Sequence, residues 1–179
     1  ISYFDIIAIG SMVPGRFIAK QELSTWPVFG ILAKLTRTIF ISRSSSSALK
    51  QLQLIKHLLF QSERLILFPE GTSSDGRKVL PFKPSLFEAP IKADAIVQPL
   101  TIRYEKINGM PVDRRSKPFL AWYGDMDLLP HLWQSLSLGT ITIKLVFHEP
   151  IKAVVFRNRK KLANHCQKII AFESEKPYR

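Results

Sequence analysis

Leu65 to Phe82 reads L-I-L-F-P-E-G-T-S-S-D-G-R-K-V-L-P-F. It opens on a continuous apolar strand, Arg64 to Phe68, closed by Pro69 and Gly71. A strand that does not alternate is buried on both faces, as in parallel sheets. Proline gives no amide hydrogen to a sheet ladder, so the strand stops there. Glu70 then falls at the end of a buried strand, where open α/β sheets hold their ligands. Gly71 permits close backbone approach or a positive φ. Thr72, Ser73 and Ser74 add hydroxyls, and Arg77, Lys78 and Lys83 follow within a few residues. Such a set suits an anion such as a phosphate. On residue types alone, an ordinary strand-turn with a solvated charge run fits as well.

On either side, apolar strands alternate with helical patterns. Gly15 to Lys20 and Thr38 to Arg43 read as strands, with a helical segment from Trp26 to Leu35 between them. The four serines from Ser44 to Ser47 read as a turn with a serine N-cap. The helix that follows, Ala48 to Gln61, carries a stripe of Leu49, Leu52, Ile55, Leu58 and Leu59. Further on, Ser85 to Lys92 reads as a short helix and Ala95 to Tyr104 as one apolar strand. Glu105 to Pro118 reads as a loop or hairpin, and Phe119 to Tyr123 and Thr140 to Phe147 as strands. Leu128 to Leu136 is helical, and Asn158 to Phe172 is a basic helix. This order predicts an α/β single domain with a mixed, largely parallel sheet flanked by helices.

With 179 residues, 46% of them hydrophobic and 22% charged, the chain suits one globular domain. The net charge of +12 favours anionic partners: nucleic acid, an anionic membrane surface or a small phosphorylated molecule. Arg157, Arg159, Lys160, Lys161 and Lys168 gather in the last helix. That cluster fits a membrane surface, an acidic carrier protein or a plain solvated face. No helix-turn-helix, zinc or RNA-recognition signature supports nucleic acid, and no such partner is expected. No apolar run reaches the ~18 residues that span a bilayer. The single cysteine, Cys166, forms no internal disulfide or C-x-x-C pair and reads as a small buried apolar residue. His57, His131, His148 and His165 lack ligand spacing, and no metal or bound cofactor is expected. Nucleotide P-loop and serine-hydrolase elbow patterns are absent.

Four ordered matches then carry a resemblance. F-P-E-G-T at Phe68 to Thr72 is the strongest. I-S-Y-F-D at Ile1 to Asp5 fits the end of an N-H-x-S-x-x-D motif. T-I-F-I-S-R at Thr38 to Arg43 fits a G-x-I-F-I-x-R block, preceded by Lys20, Glu22 and Leu23 and by Pro27 and Gly30. I-V-Q-P-L at Ile96 to Leu100 fits a V-x-P block. In these the chain resembles the lysophospholipid acyltransferases of the bacterial 1-acyl-sn-glycerol-3-phosphate acyltransferase type. Ser73 stands where that family often has Arg, and Pro84 and Ser85 where it often has Lys-Gly. The variant T-S-S-D-G…L-P-F-K resembles proteobacterial members, some of which act on lyso-ornithine lipids.

The resemblance implies a glycerolipid acyltransferase-like domain over residues 1–179, with its motifs in 1–104 and the basic helix in 105–179. It implies an N-terminal truncation, with a catalytic His expected immediately before Ile1. The activity implied is transfer of an acyl group from an acyl carrier protein or coenzyme A thioester to the free hydroxyl of 1-acyl-sn-glycerol-3-phosphate, giving phosphatidic acid. O-acylation of lyso-ornithine lipid is the alternative, and a non-catalytic lipid- or nucleic-acid-binding basic domain a second. A hydroxyl attacks poorly until a base takes its proton, and histidine is suited to that near neutrality. Asp5 would orient the imidazole, although a helix N-cap is its ordinary use. The resemblance assigns the acceptor to Arg43, Glu70, Gly71 and Thr72. Lys83 and Arg77 join them on charge and proximity. The expected setting is the cytoplasmic face of a bacterial inner membrane.

Overall fold

The first strand, β1 (Arg16–Lys20), buries Phe17 and Ile18 and lies between two parallel partners. β2 (Ile39–Ile41) pairs with it through Ile18↔Ile39, and β3 (Leu65–Leu67) through Ile18↔Leu67. A computed structural model describes residues 3–25, 30, 33, 36–42, 45–113, 116–124 and 126–176. The expected helix at Trp26 to Leu35 falls mostly outside these residues, as do Ser44 and Arg43. Helix α1 (Tyr3–Met12) leads into β1, and α2 (Ser45–Phe60) connects β2 to β3. Parallel neighbours need such a crossover, because a tight turn cannot return the chain in the same direction. Leu58 of α2 buries against Ile18 and Ile39, with Ile55 packed on them. Leu49, from the same expected stripe, is exposed, and so is His57.

The second half is antiparallel. β5 (Leu100–Ile107) pairs along its length with β7 (Ile141–Phe147) and turns back on β6 (Met110–Pro111). Asn108 and Gly109 both have positive φ, 50° and 80°, the conformation of a tight hairpin turn. β4 (Ile96–Val97) pairs instead with β8 (Ile151–Lys152). The single strand expected over Ala95 to Tyr104 is therefore two strands in two sheets. Pro99 stands at the break, where its missing amide hydrogen costs the ladder nothing. Of the loop or hairpin expected from Glu105, the hairpin is what forms, with β5 running to Ile107 before the turn.

Phe119 to Tyr123 is not a strand. Helix α4 (Lys117–Leu120) occupies its start, and irregular chain follows. Ser116 and Asp113 fix the helix entry, the Ser116 amide donating to Asp113 Oδ1 at 2.7 Å and the Asp113 amide to Ser116 Oγ at 2.9 Å. Such local bonds offer the backbone an alternative to a sheet ladder. The short helix expected at Ser85 to Lys92 is a 3₁₀ turn, Pro84–Phe87, running into α3 (Glu88–Lys92). Helix α5 (Leu128–Leu136) has the bounds its periodicity predicts.

Helix α6 (Arg159–Ser174) closes the fold. Asn158 caps it, accepting from the Lys160 and Lys161 amides. Leu162, Ala163 and Cys166 enter a core with Phe82, Phe87 and Ala153. Cys166 is thus the buried apolar filler expected, and burial pushes its thiol up to about 11. Arg103 on β5 donates to the carbonyls of Glu173 at 3.1 Å and Lys176 at 2.9 Å. This places a cation at the helix C-terminus, where orphan carbonyls collect. The outcome is a mixed α/β domain whose parallel strands lie in its first half and whose antiparallel strands lie in its second.

Candidate functional site

Asp5 is the third residue of α1 and is 0% exposed. A carboxylate so deep in a fold needs hydrogen-bond donors. Tyr104 supplies one, its hydroxyl donating to Asp5 Oδ1 at 2.7 Å. Alternation along β5 turns Thr101 and Arg103 to one face and Ile102 and Tyr104 to the other. Glu105 is an extra residue in the ladder, since Tyr104 pairs with Ile143 and Lys106 with Thr142. Such a bulge re-aims the side chains beside it. Burial and then the charge of Asp5 hold the Tyr104 hydroxyl well above its usual range, so it remains a neutral donor.

Glu70 follows β3 and is 6% exposed. The Leu80 backbone bonds its carboxyl group, while Oε2 is buried with no hydrogen-bond partner among the described residues. Burial raises its pKa, and the negative charge of Asp5 adds to the rise. The two carboxyl groups therefore share one electrostatic environment. Gly71 has φ +63°, and Lys83 crosses directly over it. A Cβ at Gly71 would lie 2.8 Å from Lys83 Nζ and 2.9 Å from Cε. The positive φ favours glycine here, and the lysine side chain, which could shift, occupies the space that the missing Cβ leaves. The loop is fixed where the Lys83 amide donates to the Pro69 carbonyl at 2.9 Å, and Phe82 anchors it in the core.

Asp5, Glu70, Gly71 and Lys83 thus fall on two adjoining segments. Thr72 is exposed, its hydroxyl 3.5 Å from the carbonyl of Ser73. Arg77 pairs with Asp75 on an exposed turn, Nε to Oδ2 at 3.4 Å. Arg43 lies outside the described residues. Among the described residues no group of three or more His, Cys, Asp or Glu is placed to hold a metal ion.

Sequence reasoning passed over a second set of residues. Tyr3 is buried, its hydroxyl donating to Ser135 Oγ at 2.7 Å and lying 3.0 Å from His131 Nδ1. His131 and Ser135 come from α5, 4 residues apart on one helical face. Burial lowers the His131 pKa, an effect the nearby Phe119 and Ala121 backbone partly offsets, and Nε2 is buried with no hydrogen-bond partner among the described residues. The available signal was the spacing of two polar residues in an apolar helix. Tyr104 left only a tyrosine on an apolar strand, whose hydroxyl needs a partner that local sequence does not name.

A buried carboxyl group whose position is fixed by a neutral donor is suited to orienting an imidazole. A buried acid and a lysine beside a glycine-opened loop suit an acceptor that carries both a hydroxyl and an anionic group.

The profile of the family described as Acyltransferase matches residues 1–103. A lyso-ornithine lipid O-acyltransferase of Brucella abortus is 39% identical over 90% of this chain and 64% of its own length. A 1-acyl-sn-glycerol-3-phosphate acyltransferase of Neisseria gonorrhoeae is 34% identical over 82% of this chain and 56% of its own length. The crystal structure of the 1-acyl-sn-glycerophosphate acyltransferase PlsC of Thermotoga maritima superposes with a TM-score of 0.62 at 22% identity. That match covers 97% of this chain and 61% of that one, and it shows a shared fold. The chain thus spans 64% or less of the relatives named here.

Proposed function

Because the chain belongs to the Acyltransferase family, we propose that its protein is an O-acyltransferase acting on the free hydroxyl of a lysolipid. The buried Asp5–Tyr104 pair carries this reading, since it gives the segment matched by the family a buried carboxyl group held in a fixed orientation. In the proposed reaction, Asp5 orients a histidine of the full-length protein. That histidine takes the acceptor's proton as its oxygen attacks the thioester carbonyl. The C–O bond forms, the C–S bond breaks, and the thiol of acyl carrier protein or coenzyme A leaves. Glu70 bonds the acceptor near its hydroxyl, and Lys83 attracts its anionic group.

Two acceptors fit, 1-acyl-sn-glycerol-3-phosphate and lyso-ornithine lipid. The identities favour the second, 39% over 170 residues against 34% over 148. The cation at Lys83 serves a phosphate or a carboxylate equally. The setting we propose is the cytoplasmic face of a bacterial inner membrane, which the net charge of +12 suits.

The test is an acceptor panel with full-length enzyme, a labelled acyl thioester and an Asp5→Asn variant. Transfer to one lysolipid is expected, with kcat in the variant down by about three to four orders of magnitude while the fold is kept. Full activity in Asp5→Asn, or no transfer to any lysolipid, overturns the reading.

A further inference from the structure

Helix α5 is packed with its polar side inward. His131 and Ser135 are buried, while Leu129, Trp133 and Leu136 are 66%, 79% and 70% exposed. These three positions are spaced i, i+4 and i+7, so they share one outward face. Phe119 and Met126, just before the helix, are exposed as well. The orientation is fixed, because the Tyr3 hydroxyl holds both inward polar side chains. Turning the helix over would bury Leu and Trp but strand Tyr3, His131 and Ser135.

We propose that this outward face of α5 seats in a phospholipid bilayer. Its composition fits, since leucine supplies apolar area and tryptophan favours the boundary between acyl chains and headgroups. Its charge fits too. L-L-P-H-L-W-Q-S-L contains no Lys, Arg, Asp or Glu, so the face enters an apolar layer without stripping water from an ion. An acidic carrier protein would need cations there and finds none on this helix. Attraction over distance comes from the rest of the chain, with 26 Lys and Arg against 14 Asp and Glu. Helix α5 itself has 9 residues, too few to cross a bilayer, so the contact proposed for it is with the surface layer.

The face also lies close to the reacting carboxylate. Tyr3, which α5 grips, is two residues from Asp5 on α1. Only about one helix diameter, ~10 Å, separates the outward face from Tyr3. A lysolipid leaving the leaflet has that far to travel, a consequence that rests on the function proposed above. The surface contact itself does not.

The test uses full-length protein in which Trp133 is left as the sole tryptophan (Trp26→Phe, Trp122→Phe, and Phe at any tryptophan outside these 179 residues), mixed with vesicles of brominated phosphatidylcholine and phosphatidylglycerol. Bromolipid is expected to quench Trp133 emission severalfold, and vesicles are expected to shield it from aqueous iodide. Unchanged emission overturns the proposal, whether iodide reaches Trp133 throughout or another segment of the chain covers it. In a second experiment, Leu129→Glu with Trp133→Glu is expected to lower vesicle partitioning at least about tenfold while melting like the parent protein. Partitioning equal to the parent overturns the proposal as well. Both measurements need no turnover, so a protein inactive on every lysolipid would refute the proposed function and leave this contact standing.

Discussion

Helices α5 and α6 are both read from sequence as helices, the second as a basic one, and the fold holds them by opposite sides. Helix α6 buries Leu162, Ala163 and Cys166 and turns Lys160 and Lys161 to solvent. Helix α5 buries His131 and Ser135 and turns leucine and tryptophan outward. The first arrangement draws on the hydrophobic effect, which is large and non-directional. The second rests on a few directional hydrogen bonds, each worth only about 0.5–1.5 kcal/mol net. So α6 is part of the core, whereas α5 is held in place by Tyr3 with its apolar face still unburied. For the basic helix the sequence left a membrane surface, an acidic carrier protein and a plain solvated face open, and the lipid contact proposed above falls on α5 instead.

The contrast is most easily broken at the core. Leu162→Ala in α6 empties space at a side chain that is 0% exposed. It is expected to cost about 2–5 kcal/mol, read as a fall in melting temperature. A cost near zero would mean that α6 is not anchored by apolar burial. Tyr3→Phe removes one hydroxyl and leaves His131 and Ser135 short of a partner. A loss of about 1–3 kcal/mol is expected. A double-mutant cycle with Ser135→Ala should show coupling between the two positions. Strict additivity would mean that the bond does not hold α5.

The smallest effect expected is one of pH. Burial depresses the His131 pKa below its usual 6.5, so the fold favours the neutral ring. That contribution is present above the unfolded value and is lost as pH falls below it toward the folded value. His148, beside β5, is depressed in the same direction and loosens its own surroundings. Local amide exchange separates the two. Residues 128–136 are expected to lose protection between pH 7.5 and 5.5, and residues 159–166 to keep theirs after correction for intrinsic rates. Equal loss in both segments would remove His131 as the acid-sensitive fastening of α5.

Much of the first half was legible. β1 was read as a short strand and β3 as a continuous apolar run closed by Pro69 and Gly71, and the alternation with helices pointed to a largely parallel sheet, though not to which strands pair. F-P-E-G-T pointed to Glu70, and the close approach allowed by Gly71 is filled by Lys83. The second half was legible in part. The bounds of α5 and β7 were readable, because nine- and seven-residue elements carry enough periodicity. Phe119 to Tyr123 misled, since aromatic and apolar residues favour a strand while Asp113 and Ser116 start a helical turn beside them. Ala95 to Tyr104 misled because a proline at the junction of two strands resembles one within an edge strand. Glu105 to Pro118 was legible as a loop or hairpin, and the turn at Asn108-Gly109 lets β5 run on to Ile107.

By itself, the sequence determined the alternation of elements, the strand-end acid, the glycine beneath a lysine and the family motifs. Each is written in residues close together along the chain. Tertiary structure alone decided that Tyr104 reaches Asp5 across 99 positions and that Tyr3 holds His131 and Ser135 across 128 and 132. It also decided which side of α5 faces out. Periodicity identifies the two sides of a helix, but which side is buried depends on the partners that packing brings to it.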